Sequence, residues 1–203
     1  MELSMDLETK AWLTTDAEHL WVMDKLILAR TMGYICGPVG LDVPYPGEYI
    51  VRPCVNMIGL GLGAQKVFLE QSTDHLPLGH FWCEWFEGDH YSVDYFWGQQ
   101  ELTVKGIKNK DTFTHWDLWI RSDKSFSFPE ELEFVSLSIP WINCEFIDGK
   151  LIEVHLRRNE DFSFLENQQE FIPVWKGDNK EPPVGYQYIE YPDLHGRVGG
   201  FVR

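Results

Sequence analysis

Positive charge is scarce in this 203-residue chain: 17 Lys and Arg stand against 32 Asp and Glu, a formal net charge of -15. Nucleic-acid phosphates are gripped by clustered basic side chains, so broad contact with a nucleic-acid backbone is excluded. Long apolar runs are missing too. No window reaches the ~18 apolar residues of a membrane span, and the opening MELSMDLETKAW carries acids where a secretory leader needs bases. Cysteine is thin and dispersed. Cys36, Cys54, Cys83 and Cys144 contain no Cys-x-x-Cys pair, which argues against a zinc ribbon or a disulfide framework and for a reduced, cytoplasmic protein. No internal repeat or low-complexity run marks a linker.

Large apolar residues are plentiful. At 44% hydrophobic, with nine Trp and thirteen Phe, the chain is long enough for one sizeable core or two small lobes sharing a cleft. The rings read first as core filling, with an aromatic platform for sugars as the alternative.

Residues 16 to 33, DAEHLWVMDKLILARTMG, space Leu20, Met23, Leu26, Ile27 and Met32 as on one helix, with Gly33 as a stop. EYIVRP and QKVFLE read as two strands of a hairpin joined by the glycine-rich CVNMIGLGLGA. FWCEWFEGDHYSVDYFWG gives two more strands about a turn at Glu87, Gly88 and Asp89. Residues 100 to 121 continue as strand and then as a segment whose class the pattern leaves open. A short helix is expected after Pro129, then a hairpin in NCEFIDGKLIEVHL, and from Asn159 onward a proline-rich tail of loops and short extended pieces.

Four stretches carry residue types suited to chemistry. Gly59, Gly61 and Gly63 let a backbone approach an oxyanion, and Arg52 on the strand before them supplies a fork of donors for phosphate. The backbone of Cys83 to Phe86 offers a donor and an acceptor to a flat heterocycle, although a plain core hairpin accounts for that stretch equally. On a strand, residues two apart face the same way, so Glu153 and His155 share a face; Glu145 on the preceding strand completes a set of oxygen and nitrogen ligands for a divalent ion. A strict two-residue turn at Asp148-Gly149 would pair Glu145 with Ile152 and turn Glu153 away. We therefore expect a three-residue bulged connection, with Gly149 at positive φ, that sets Glu145 opposite Glu153. Surface ion pairs are the plainer explanation of such residues.

The order of these stretches resembles the ATP-grasp carboxylate-amine ligases of the D-alanine–D-alanine ligase type, over roughly residues 20 to 160. MDKLILARTMG looks like the family's lysine helix, which assigns Lys25 to the ATP phosphates. YIVRPCVNMIGLGLGA is similar to the basic strand and the glycine loop that covers the triphosphate. CEWFEGDHYSVD resembles the hinge, placing Cys83, Glu84 and Phe86 at the adenine edge and His90 at the ribose. CEFIDGKLIEVHLRRN resembles the metal hairpin, placing Glu145, Glu153 and His155 on magnesium and Arg157 near phosphate or acyl group. Arg52 stands where the family has Lys, Glu145 where it has Asp, His155 where it has Asn, and His90 where it has a carboxylate; imidazole brings manganese in as an alternative to magnesium.

The resemblance implies an α+β fold of two lobes with antiparallel sheets gripping ATP between them. Its expected divisions are an N-terminal segment 1–22, a small lobe 23–80, a larger lobe 81–160 and a C-terminal extension 161–203 packed on it. It implies ATP, Mg2+ and small-molecule or peptide carboxylate and amine substrates joined through an acyl phosphate. Lys105 and Lys108 are further candidates for phosphate or carboxylate contact. Only about twenty residues precede the lysine helix, so the expectation is either a bulky substrate that brings its own surface or a homodimer or partner chain that completes the substrate site. A non-catalytic nucleotide-binding protein of the same fold and an all-β carbohydrate-binding module are the rival readings.

Overall fold

The computed structural model describes residues 6–109, 116–159, 162, 167–194 and 196–203. Two sheets divide the chain, and every pairing is antiparallel. The smaller has the order β1-β4-β2-β3, from β1 (Cys36–Pro38), β2 (Gly47–Pro53), β3 (Gln65–Leu69) and β4 (His80–Glu84). The larger has eight strands in the order β11-β12-β10-β7-β6-β5-β8-β9. These are β5 (His90–Phe96), β6 (Gln99–Lys108), β7 (Trp116–Arg121), β8 (Trp141–Ile147), β9 (Lys150–His155), β10 (Glu170–Trp175), β11 (Gln187–Leu194) and β12 (Arg197–Val202). Among the described residues no helix is long and apolar enough to cross a membrane.

Alternation along the strands decides which face is core. Tyr91, Val93 and Tyr95 of β5 and Ile142, Cys144 and Phe146 of β8 point to one side, where Leu132 and Val135 of the short helical turn Glu130–Leu132 and α3 (Glu133–Ser136) close over them. His90, Ser92 and Asp94, with Asn143, Glu145 and Ile147, point to the other side, toward the cleft.

The continuous helix expected over 16–33 is broken. A 3-10 helix covers Ala17–Met23, and α2 (Lys25–Thr31) starts afresh because the Asp24 carboxylate accepts from the amides of Leu26 at 2.9 Å and Ile27 at 3.1 Å. A capping aspartate satisfies the unpaired amides of a new first turn, and apolar spacing does not reveal that. Helix α1 (Leu7–Thr14), absent from the sequence reading, is capped likewise by Asp6, which accepts from Thr9 N at 2.8 Å.

The β2–β3 hairpin is present as expected, with Tyr49 opposite Val67. FWCEWFEGDHYSVD is not a hairpin, however: β4 pairs with β1 and β2, whereas β5 pairs with β6 and β8, so residues 85–89 carry the chain from one sheet to the other. The smaller sheet thus includes β4, past the division expected at residue 80. The tail read as loops supplies β10, β11 and β12, three strands of the larger sheet. Pro173 is tolerated within β10, and Gly199 and Gly200 in β12 leave room for the rings of Tyr188 and Phe171. Residues 110–115, part of the stretch whose class was left open, lie outside the described residues.

Gly106 of β6 lies under two indoles: a Cβ there would meet Trp116 at 2.7 Å and Trp119 at 2.9 Å. Gly106→Ala should destabilise the fold by about 1–3 kcal/mol through overpacking, read as a lower denaturant midpoint with an unchanged slope.

Candidate functional site

The β8–β9 hairpin reaches the expected pairing by a different device. Asp148 and Gly149 both have positive φ, 49° and 79°, and form a two-residue turn that pairs Ile147 with Lys150 and Phe146 with Leu151. The register then shifts: Ile152 is the extra residue, and Glu145 comes to lie opposite Glu153. The three-residue connection is therefore corrected to a tight turn followed by a bulge within the strand. The bulge has a partner in the other sheet, because the Ile152 carbonyl accepts from Arg52 Nη2 at 2.6 Å.

Around Glu153 two cations close in from the opposite wall. Lys25, at the first turn of α2 and only 6% exposed, places Nζ 3.0 Å from Glu153 Oε1, and Arg52 Nη1 lies 3.5 Å from Oε2. Lys25 is held there by its amide, which donates to Cys54 O at the end of β2. Burial pushes the Glu153 carboxyl up, but Lys25, then His155 and Arg52, outweigh it and hold its pKa at about 2. The Nε of Arg52 is buried without a hydrogen-bond partner, a donor left over beside the cleft.

His155 stands between the carboxylates. Its Nε2 lies 3.6 Å from Glu153 Oε1 and 3.9 Å from Glu145 Oε1, while Nδ1 lies 3.1 Å from both oxygens of Glu8. Burial lowers the His155 pKa, yet Glu8 more than reverses this and the net shift is upward. Arg157 Nε donates to Glu8 Oε2 at 2.6 Å. Burial raises the Glu8 carboxyl, and His155 and Arg157 overcome it, leaving a pKa of about 2. Glu145 pairs with His90 Nε2 at 3.1 Å; burial opposes its ionisation, and His90 turns the net shift downward.

One cavity runs between the sheets and is lined by residues from both. It brings together Arg52, Gly59, Gly61, Cys83, Phe86, His90, Glu145, Glu153, His155 and Arg157 from the sequence reading. Lys25, Gly63 and Glu84 do not line it, although Lys25 is paired with Glu153, which does. Gly63 sits against Pro53, whose ring a Cβ would meet at 3.1 Å, and Glu84 is committed to Ile35, accepting from its amide at 3.0 Å and donating its own amide to its carbonyl. In the glycine loop, Gly59, Leu60 and Gly61 have successive positive φ values of 71°, 57° and 63°. Lys105 pairs with Asp89 at 2.8 Å, whereas Lys108 does line the cavity. Sequence reasoning missed Glu8; the Asp6 cap followed by a short helical run was the available signal, but nothing tied it to a hairpin nearly 150 residues away.

Burial raises the Cys83 thiol to about 12 and pushes the Cys144 thiol well above its ordinary value. Iodoacetamide at pH 8 should therefore leave both unlabelled in the native protein and modify both after denaturation, read by mass spectrometry.

Among the described residues no group of three or more His, Cys, Asp or Glu forms a ready metal cage. The donor set is still suited to magnesium. That ion commonly takes one or two protein carboxylates and completes its shell with phosphate oxygens and water. Glu145 and Glu153, neighbours on adjacent strands and both shifted toward the ionised form, meet that requirement.

The arrangement of two antiparallel sheets around a cleft has counterparts among solved structures. N5-carboxyaminoimidazole synthase from Aspergillus clavatus, solved with ADP and 5-aminoimidazole ribonucleotide, matches with a TM-score of 0.55 at 10% identity, over 91% of this chain and 69% of that one. A protein from Archaeoglobus fulgidus assigned to the ATP-grasp superfamily gives 0.53 at 14% identity, over 89% of this chain and 64% of that one. L-amino acid ligase from Bacillus licheniformis gives 0.50 at 12% identity, over 91% and 66%. The chain thus spans roughly two thirds of the length of the solved chains it matches. No protein-family model matches it, and no curated protein does. The protein has the ATP-grasp fold, of the α+β class, and the all-β carbohydrate-binding reading is set aside by it.

Proposed function

We propose that the protein is an ATP-dependent ligase that joins a carboxylate to an amine or similar nucleophile through an acyl phosphate, releasing ADP and phosphate. The observation that carries this reading is the pair Glu145 and Glu153, brought opposite each other by the Ile152 bulge and both shifted toward the ionised form, with Lys25 and Arg52 paired to Glu153. ATP would supply the phosphoryl group that activates the acid. Glu145 and Glu153 would hold magnesium, and His155 would orient them or join them as a ligand.

Carboxylate attack on a phosphate brings like charges together, so catalysis here is mainly charge stabilisation and positioning. Arg52, which lines the cavity, would turn from Glu153 to phosphate oxygens, with its unused Nε as a further donor, and Lys25 would have to leave Glu153 and enter the cavity to join it. The loop at Gly59, Gly61 and Gly63 would cover the phosphates and exclude water from the acyl phosphate. Cys83 at the end of β4 and Phe86 on the crossing between sheets would give an apolar wall for adenine, whereas Glu84, outside the cavity lining and bonded to Ile35, would join them only by releasing it. His90 reaches a ribose only by releasing Glu145. Arg157 would meet phosphate or the acyl group. Four free cysteines accord with a reducing, cytoplasmic setting.

A metal-dependent ADP-release assay across carboxylic acids and amines tests the proposal, with release expected only when acid, ATP and Mg2+ are all present. One feature favours a second reading. His155 Nε2 stands between the two carboxylates, 3.6 Å from Glu153 and 3.9 Å from Glu145, where a metal ion would have to displace it, and a nucleotide-binding protein without turnover is consistent with that. Such a protein would bind ATP and release no ADP with any acid.

A further inference from the structure

Past the metal hairpin the cavity continues over β6, β7, β10 and β12, strands given no role above. Five strand spacings separate β8 from β12, so this floor extends roughly 24 Å at about 4.8 Å per strand. Two cross-strand pairs face into it, and each joins a cation to an indole. On β6 and β7, Lys108 is opposite Trp116, with Nζ 5.7 Å from the ring centroid. On β10 and β12, Trp175 is opposite Arg197, a guanidinium only 8% exposed. All four line the same cavity. Directly opposed residues on neighbouring strands share a face, with Cβ atoms about 5 Å apart, so the pairing itself sets each cation beside its ring.

The aromatic wall begins next to the hairpin. Trp116 takes the edge of His90 at 4.5 Å between centroids, and His90 is bonded to Glu145. Trp119 packs against Trp116 at 4.6 Å, and Gly106 beneath them has no side chain to lift the rings off the sheet. Burial also lowers the Lys108 pKa although Glu145 acts to raise it, in keeping with an ammonium near the hairpin. A site for a small aliphatic acid needs one cation and little apolar area. Indole faces repeated beside two cations instead match an anion joined to a flat ring, which gains both charge pairing and aromatic contact.

We propose that this half of the cavity seats the carboxylate substrate, and that its class is an aromatic carboxylic acid. Its carboxylate lies toward Lys108 and the hairpin, its ring runs along Trp116 and Trp175, and Arg197 meets any further acceptor group at the distal end. Only the word substrate rests on the ligase reading; the binding site does not.

Calorimetric titration of the intact protein, with and without Mg2+ and ADP, separates the two. The probes are 3-phenylpropanoate, hexanoate as the aliphatic acid, and 3-phenylpropanamide as the uncharged ring. Phenylpropanoate is expected to bind at least tenfold tighter than the others. Lys108→Met and Trp175→Ala should each weaken it at least fivefold, while Trp175→Ala leaves ATP affinity within twofold. Equal affinities for the three probes, no binding of any, or unchanged affinity in both variants overturns the proposal. If the acids follow the expected order but ATP does not bind, the ligase reading fails and the aromatic-acid site stands.

Discussion

Glu153→Ala should lower metal-dependent ADP release by on the order of 10³-fold, the cost of removing one well-placed group that stabilises transition-state charge. The same substitution leaves Lys25 and Arg52 without their carboxylate in a cleft where Lys25 is buried. Removing one partner of such a buried pair costs about 3 kcal/mol of stability. The two effects are separable. Activity is measured below the variant's melting transition, with circular dichroism confirming the folded state, and stability is taken from denaturant unfolding. Glu153→Gln retains volume but removes the charge, so it should share the loss of turnover. Unreduced turnover in both variants, with the proteins folded, would remove Glu153 from the site.

A second large effect is expected at the Glu8 latch. The Glu8 pKa is lowered from 4.5 to about 2, so its contribution to stability is fully present above pH 4.5 and is lost as pH falls toward 2. A shift of that size corresponds to ~3 kcal/mol. The His155 pKa moves the other way, so its contribution is present below the ordinary histidine range and fades as pH rises through the raised value. The latch is therefore strongest between these limits. Glu8→Gln should cost ~3 kcal/mol near pH 6 and only ~0.4 kcal/mol near pH 2, where the wild-type carboxyl is half protonated. Parallel stability curves for wild type and variant across this range would show that the latch carries none of the pH dependence.

The local pieces of the site were readable because their spacing is short. Glu153 and His155 share a strand face by period two, and Lys25, Arg52 and the glycine loop sit in compact stretches. Glu145 opposite Glu153 followed from requiring a bulge, but its position at Ile152, beyond a tight turn, depended on Arg52 taking the Ile152 carbonyl from the other sheet. No pattern within the hairpin encodes that contact. The same limit hid Glu8, whose partners His155 and Arg157 lie at the far end of the chain, and it made β4 and β5 look like a hairpin when they belong to different sheets. Prolines at 173, 182, 183 and 192 made the tail look irregular, whereas β12, with Gly199 and Gly200, is a buried strand between β10 and β11.

In the proposed function Glu145 and Glu153 would hold the divalent ion that ATP binding requires. Calorimetric titration of ATP in excess Mg2+ and in excess EDTA tests it most directly, using wild type and the Glu145→Gln, Glu153→Gln double variant. The account predicts at least tenfold tighter binding with Mg2+ for the wild type, and no difference between the two conditions for the double variant. Equal affinity with and without Mg2+ in the wild type, or a metal dependence that survives in the double variant, would contradict it.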